Sequence, residues 1–591
     1  MKVLSRYLLL TLSALIMASL SPIGCGNGSS SSSSSDAEAA LIIGSTYYVS
    51  ASRGDDSNIG SQQFPFQTIS KAASNVKAGD KVIIFQGTYR EVIQIPRSGS
   101  DSSHTISFQA APGEYVEIKG SDLVANWTLH TGAIWKRTVW DINSQQVFVD
   151  GLTLQQIGSN NPFHTQLYNG HLLLPPTGNG LSDMVPGSFF YDAAAKSLYV
   201  WLQDGTNPNS HIVEASVRNW LIPYNEDLNF IELHNLHFSH SNQTAIGHSM
   251  GIVNVVGRSW VVEGSTFMYG DFSGLHIAGE GHRIINNIFN YNGNSGITMN
   301  GSDQAHGWKP YSPRAAQDIV LEGNETSYNN YRKFYFHWGA GGIKVIPSCN
   351  GVTILLHKSQ LNYGHGIWID GACQNVSINQ CIVSGNNGAG IFYEISDKGI
   401  ISNNLVVRNG LQGIYVAASS DVSVYNNTLV ENGYGIVVHG MPRTDHPTLQ
   451  NNKVKNNIIM QSLLGADLVV YNAPPVTSGN TADYNLYIRT SGAPQISWTN
   501  SSGYPVNYTS LTSLFQATGM EQHSLLSNSS NMVLSPDTYQ LVHGSPAIDT
   551  GTNAVVGVGD LDLAGNKRFV DGSGKGSLSI DIGAYEFTTA P

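Results

Sequence analysis

The chain reads as an all-β protein, a right-handed parallel β-helix with an N-terminal cap helix and an inserted small β-sandwich-like domain. Three observations predict this. A glycine followed by an aliphatic residue opens a short β-prone segment at Gly274, Gly296, Gly342, Gly366, Gly390, Gly413 and Gly435, in steps of 22, 46, 24, 24, 23 and 22 residues. The long step holds two coils, because Ile319–Asn324 supplies a strand between them. Paired asparagines mark a second recurrent corner, at Asn286-Asn287, Asn403-Asn404, Asn426-Asn427 and Asn456-Asn457. Charged residues make up only 12% of the 591 residues, and Gly numbers 62. A period of about 20–50 residues signals a solenoid, and stacked asparagines suit both left-handed turns and amide ladders. Right-handedness follows from the crossover rule for parallel strands.

Taken in chain order, residues 1–24 read as an export signal, with Lys2 and Arg6 ahead of the apolar run Tyr7–Leu20. Cys25 is a candidate lipidation site, as in an envelope lipoprotein. It opens a Ser-rich tether over 25–44, too polar to pack. Simple secretion with cleavage near Cys25 is the alternative. Residues 45–125 form a cap and the first coils, with a strand at Tyr47–Ser50, a helix over Thr68–Val76 and coil strands from Lys81. The helix covers the open end of the solenoid, where strand edges are otherwise unpaired. Residues 126–222 break the repeat with hairpin-like alternation, as in Phe189–Leu202, and read as the inserted β-domain. The main β-helix spans 223–464. Residues 465–591 form irregular coils and a closure whose acids, Asp549, Asp560, Asp562, Asp581 and Glu586, are expected to bind backbone amides or a structural calcium.

Lys plus Arg total 30 against 42 acidic residues, a net charge of −12. The chain has no basic stripe, which argues against nucleic acid as a partner. An oligo- or polysaccharide is the expected partner, and a membrane enters only through the lipid on Cys25. Cys349 and Cys373 lie 24 residues apart, one coil, so they stack either as a disulfide or as free buried thiols. No cofactor and no metal site is expected beyond that possible calcium.

Strand alternation separates the faces. Residues one and three after each glycine are apolar and form the interior stack, such as Ile343/Val345, Ile367/Ile369 and Ile391/Tyr393. Residues two and four face outward: Lys344/Ile346, Trp368/Asp370, Phe392/Glu394, Tyr415/Ala417 and Val437/His439. Asp370 and Glu394 are 24 residues apart, so they sit on adjacent rungs, about 4.7–4.9 Å apart along the backbone. Like charges stacked this way destabilise a sheet, which marks the pair as a functional candidate. Their spacing approaches the roughly 5–5.5 Å used by retaining glycosidases. Lys344 lies one rung before Asp370 and two residues back, close enough to keep Asp370 ionised, while Glu394 is left as the protonated partner. Trp368, Phe392 and Tyr415 form an aromatic ladder, read either as a sugar-stacking platform or as packing beneath a loop. Two insertions on this side, Gly301–Gln317 with His306, Trp308 and Lys309, and Asn329–Gly341 with Arg332, His337 and Trp338, are expected to wall the site.

These residues carry a resemblance. Tyr47–Ser50, Gly87-Thr88-Tyr89, the inserted domain, Gly342-Ile343-Lys344, Trp368-Ile369-Asp370 and Tyr393-Glu394-Ile395-Ser396 together resemble glycoside hydrolase family 120 over residues 45–400. The resemblance implies a retaining, exo-acting β-xylosidase-like enzyme on a β-helix, with Asp370 as nucleophile and Glu394 as acid/base. Gly371 and the acid-free segment His337–Gly341 depart from the family pattern and bear on sugar identity. The alternatives are a polysaccharide lyase or uronate epimerase, for which Lys344, Arg332 and His337 supply the cations, and a non-catalytic cell-surface carbohydrate-binding β-helix.

Overall fold

Three ladders of short strands wind about a common axis in a computed structural model. It describes residues 44–588 apart from 244–250, 302–315, 441–448, 472–478, 491, 493, 501–502, 575 and 577. The segment read as an export signal and Cys25 lie outside the described residues, as do His306, Trp308 and Lys309. The first sheet has 13 strands, from Thr46–Val49 to Thr481–Asp483, and the second has 13, from Gly87–Tyr89 to Leu525–Ser527. The third has 11, from Gly251–Val255 to Pro505–Tyr508, and carries the outward residues of interest. The fold is a right-handed parallel β-helix.

The glycine repeat has a steric cause. A Cβ at Gly366 would lie 2.5 Å from the carbonyl oxygen of Gly390, and one at Gly390 would lie 2.7 Å from that of Gly413. Each glycine lets the next coil close on it at the corner. Beyond it, Ile343, Ile367, Ile391, Ile414 and Ile436 stack in register and are buried, as are Val345, Ile369, Tyr393, Val416 and Val438.

The asparagine pairs divide their work. The first members, Asn286, Asn403, Asn426 and Asn456, hold φ between 53° and 57°, a left-handed turn that Asn tolerates. The second members point inward as a ladder, with Asn404 Nδ2 donating to Asn427 Oδ1 at 2.9 Å and Asn427 Nδ2 to Asn457 Oδ1 at 3.0 Å. A second ladder runs through Asn292, Asn329, Asn362, Asn386, Asn409 and Asn432, each amide donating to the next oxygen at 2.8–3.0 Å.

The cap helix spans Ile69–Asn75 and buries Ile69, Ala72 and Ala73. Its first amides are satisfied by Thr68 Oγ1, which accepts from Lys71 N–H, and by Glu91, which accepts from Ile69 and Ser70. The region read as an inserted β-domain over 126–222 lies within a stretch of mostly antiparallel pairing that runs from Ser121 to Ser216. Its strands Ser121–Leu123 and Val213–Ser216 pair antiparallel and clasp its two ends together. A four-stranded and a five-stranded sheet meet over Trp127, Val147, Phe189, Leu198 and Val200.

The coils also run past 464, since Leu468–Tyr471, Leu486–Ile488 and Leu525–Ser527 extend the ladders. The closing segment then returns along the outside of the solenoid. Asn403 donates to the Val558 carbonyl at 2.6 Å, Asn426 to that of Asp581 at 2.8 Å and Asn456 to that of Thr552 at 2.9 Å. Its acids hold backbone and arginine. Asp562 accepts from the amides of Ala564, Asn566 and Glu586, and Glu586 pairs with buried Arg568 at 2.7 Å. Among the described residues no group of three or more His, Cys, Asp or Glu is placed to hold a metal. Cys349, Cys373 and Cys381 are free buried thiols, so the stacked cysteines are not bridged.

Two outcomes are expected from this frame. Asn409→Ala opens the middle of a buried amide ladder and is expected to cost about 1–3 kcal/mol, read from the urea midpoint at unchanged m-value; an unmoved midpoint would show the ladder to be neutral. Glu521 is buried beneath the last coils, where Tyr487 donates to it at 2.8 Å. Burial pushes its carboxyl up to about 7 from 4.5, against the hydrogen bonds from Ser524, Tyr487 and Asn485. The folded chain therefore holds this proton more tightly than the unfolded chain, so the associated stability is present below pH 4.5 and is lost as pH rises through about 7. Glu521→Gln is expected to flatten the fall in melting temperature between pH 5 and 8.

Candidate active site

The site is built on strands Gly341–Ile346, His365–Ile369, Ile391–Glu394 and Gln412–Ala417 of the third sheet. Lys344 pairs with Trp368, Trp368 with Phe392 and Phe392 with Tyr415. One row further along the strands, Asp370 and Glu394 occupy the ends of adjacent rungs, about 4.7–4.9 Å apart at the backbone.

Each acid is held by the same diagonal, the residue one rung back and two positions earlier. For Asp370 that residue is Lys344, whose Nζ donates to Oδ2 at 2.6 Å. For Glu394 it is Trp368, whose indole Nε1–H donates to Oε2 at 3.2 Å. One contact supplies a full charge and the other a neutral donor, so the two carboxylates differ although they share a column. Lys344 Nζ also lies 3.0 Å from the Trp368 ring centroid, a cation–π contact. Burial pulls the Lys344 ammonium below its ordinary value, opposed by the charges of Asp370 and Glu394. Asp370 is 7% exposed, and its Oδ1 has no hydrogen-bond partner among the described residues. Lys344 thus occupies one oxygen of Asp370 and leaves the other, also buried, without a partner among the described residues.

The aromatic ladder differs from a platform of exposed ring faces. Trp368 and Phe392 stack on each other with centroids 5.1 Å apart at 15°, and Phe392 stacks on Tyr415 at 4.7 Å and 10°. With Ala389 and Ala417 they form a small apolar cluster. The rung spacing brings the rings face to face, so the column offers edges, not faces, to a ligand. Tyr415 is half-buried and contacts His439 Nδ1 through its hydroxyl at 3.2 Å. Burial, with the charge of Glu394, pushes its phenol up to about 12. Past Tyr415 the face continues as a groove of about 470 Å³ lined by Tyr434, Val437, His439 and Tyr471.

The remaining sequence candidates separate. His337 lies in the short helix Phe336–Gly339, 5.9 Å from the His365 ring. Trp338 packs instead on Phe163 and Phe272, in a cluster that joins the inserted domain to the solenoid. Arg332 is buried in an ion pair with Asp271 and faces neither acid. His365 is a residue that sequence reasoning missed. Its Nδ1 accepts from the Ala389 amide at 3.0 Å, its ring meets Trp368 edge-on at 4.6 Å, and its Nε2 has no partner among the described residues. Burial, then the charges of His337 and Lys344, hold it well below the ordinary histidine value, so it is neutral and carries its proton on Nε2. The available signal was its column. The residue before each glycine reads Ser273, Ser295, Gly341, His365, Ala389, Gln412 and Tyr434, with one histidine among uncharged residues.

Residues 250–429 and 317–482 match the family model described as a right handed beta helix region, and residues 52–94 match a model described as a protein of unknown function. The uncharacterized protein YwoF of Bacillus subtilis (strain 168) is 35% identical over 114 residues, 19% of this chain and 23% of the relative. The chain therefore matches about a quarter of that curated relative's length. Among solved structures, the complex of XylC with xylose superposes with a TM-score of 0.63 at 15% identity, over 92% of this chain and 98% of that one. The pectate lyase Pel9A aligns at 0.42 and 12% identity, over 93% and 98%. The family match and the likeness to XylC support the β-helix architecture.

Removing one partner of a buried ion pair costs about 3–5 kcal/mol while the other stays charged. Lys344→Met is therefore expected to lower the melting temperature at pH 7. Lys344→Met combined with Asp370→Asn is expected to recover most of that loss; additive losses in the double variant would show that the two groups are not coupled.

Proposed function

We propose that this chain is a retaining glycoside hydrolase, exo-acting and β-xylosidase-like in the manner of glycoside hydrolase family 120. The single observation that carries the reading is the stacked carboxylate pair, differentiated by Lys344 on Asp370 and the Trp368 indole on Glu394. Asp370 Oδ1 attacks the anomeric carbon while Oδ2 stays on Lys344. Glu394 gives its proton to the glycosidic oxygen as that bond breaks. The aglycone leaves and a glycosyl ester on Asp370 remains. Glu394 then takes a proton from water, the water oxygen attacks the anomeric carbon, and Asp370 departs as carboxylate. The likeness to XylC, crystallised with xylose, supports xylosides as the first substrates to try.

A second reading draws on Lys344. A buried ammonium held below its ordinary value is suited to abstracting a proton α to a uronate carboxylate, as a lyase or epimerase requires. Against it stand the two acids beside Lys344, which repel a polyanionic substrate.

Aryl glycosides and uronate polymers separate the readings. Glu394→Ala is expected to lower turnover of poorly activated glycosides by about 10²–10⁴-fold, with smaller loss on aryl glycosides that leave without protonation. Asp370→Ala is expected to abolish turnover. Azide is expected to restore it, giving a glycosyl azide of opposite anomeric configuration to the substrate. Unsaturated products from a uronate polymer, or activity indifferent to both substitutions, would overturn the hydrolase reading.

A further inference from the structure

A second concave site, unused by the reaction above, lies between the inserted domain and the segment that leads to the Lys344 strand. It encloses about 450 Å³. The insert contributes Gln145-Gln146 and Gln155-Gln156, and the solenoid contributes Tyr331-Arg332. Asp370 and Glu394 stand at the C-terminal ends of their strands, whereas Arg332 and its partner Asp271 precede the N-terminal ends of theirs. Five strand residues separate those two edges by roughly 17 Å.

The wall is held by its own hydrogen bonds. Gln145 Oε1 accepts from Asn161 Nδ2 at 2.8 Å and from Gln156 Nε2 at 3.2 Å. Gln156 accepts in turn from Arg332, and the Tyr331 hydroxyl donates to Gln146. Asp271 pairs with Arg332, so the cavity presents no free guanidinium; Lys333 also lines it, but its Nζ rests 3.6 Å from the Tyr363 ring centroid.

Among the described residues of the wall, one buried acceptor is left over. His164 lines the cavity, is 7% exposed, and has no hydrogen-bond partner on Nδ1 among the described residues. Burial, then the nearby charge of Arg332, pulls its ring down to about 4, so it is neutral. The Ser159 backbone opposes that fall by favouring the ring's N–H; with Nδ1 unpartnered, that N–H is assigned to Nε2, since a neutral imidazole carries a single one. Nδ1 is therefore a bare acceptor that needs a donor. Thr153 and Thr177 add exposed hydroxyls at the rim, which both donate and accept.

We propose that this cavity is a second saccharide-binding site, selective for a neutral sugar whose hydroxyl donates to His164 Nδ1. A sugar carboxylate would meet that lone pair with its own and is disfavoured. Fixed amides, rim hydroxyls and one bare acceptor match a polyhydroxylated ligand, which supplies donors and acceptors on the same ring. The choice of sugar rests on the hydrolase reading; the existence of the site does not.

The test uses the full chain carrying Asp370→Asn, titrated calorimetrically and soaked as crystals with xylotriose, cellotriose and trigalacturonate. A neutral trisaccharide is expected in the cavity with a hydroxyl on His164 Nδ1. Thr177→Trp, at an exposed rim position, is expected to abolish that binding event while leaving turnover of a small aryl glycoside by the otherwise native enzyme unchanged. His164→Leu, which removes the acceptor, is expected to weaken it about tenfold. Circular dichroism confirms that each variant folds. An empty cavity with both neutral sugars, affinity unmoved by both variants, or preference for trigalacturonate overturns the inference. Normal turnover with an empty cavity sinks this site alone. A filled cavity in a chain inactive on every glycoside sinks the hydrolase reading and leaves the site standing.

Discussion

Parallel backbone pairing at one-coil intervals is the constraint on which the rest of this molecule depends. It sets each residue directly over its counterpart one turn later, so like must tolerate like. Interior isoleucines gain from the arrangement, because the same shape recurs along one continuous core. Asparagines gain too, since each amide offers a donor upward and an acceptor downward. Glycines are required where adjacent corners touch. Carboxylates lose, because stacking two of them stacks two like charges. The pair at 370 and 394 is the place where the repeat works against itself, and that cost is met locally by Lys344 and Trp368.

The features legible in the sequence were those that the repeat multiplies. Gly366-Ile and Gly390-Ile announce a coil because the same corner closes in the same way each time. The pair Asn426-Asn427 announces another because one residue must turn left-handed while the next points inward. The ladder through Asn329 and Asn362 was harder to see, because the insertion Asn329–Gly341 stretches that step to 33 residues and hides the register. The coils after 464 were read as irregular for a related reason. Leu468 stacks on Ile436, but Asp467 stands where the opening glycine had been, so the marker disappears while the strand persists. The aromatic column was legible as a column but not as self-stacked rings, since sequence gives position along a strand and not the tilt of a side chain. His365 was passed over because its importance lies in one orphan N–H and a fixed tautomer, which only neighbours from the next coil determine.

A buried lysine is an expensive way to hold an acid. The ammonium loses its hydration, and its attraction to a carboxylate seldom returns more than that loss. Here Lys344 has Asp370 on one side and the face of Trp368 on another, and burial still holds it below its ordinary value. Apolar residues of similar volume would serve the stability of this wall as well. Retaining an ion pair there, with one carboxylate oxygen unpartnered, is in keeping with the role proposed for Asp370.

The differentiation of the two acids then follows from one geometric rule applied twice. In a parallel solenoid the residue one rung back and two positions earlier points toward the end of the following strand, and the bonds from 344 to 370 and from 368 to 394 both span 26 residues on that diagonal. The rule is symmetric, so the asymmetry comes from residue identity alone: an ammonium at one position and an indole at the next. Trp368 links the two arms, because its face receives the lysine while its N–H holds the glutamate. A change at that single ring therefore reaches both carboxylates. The nucleophile and the proton donor proposed for this chain are for that reason one coupled unit, and the repeat that made them neighbours also supplies the means of telling them apart.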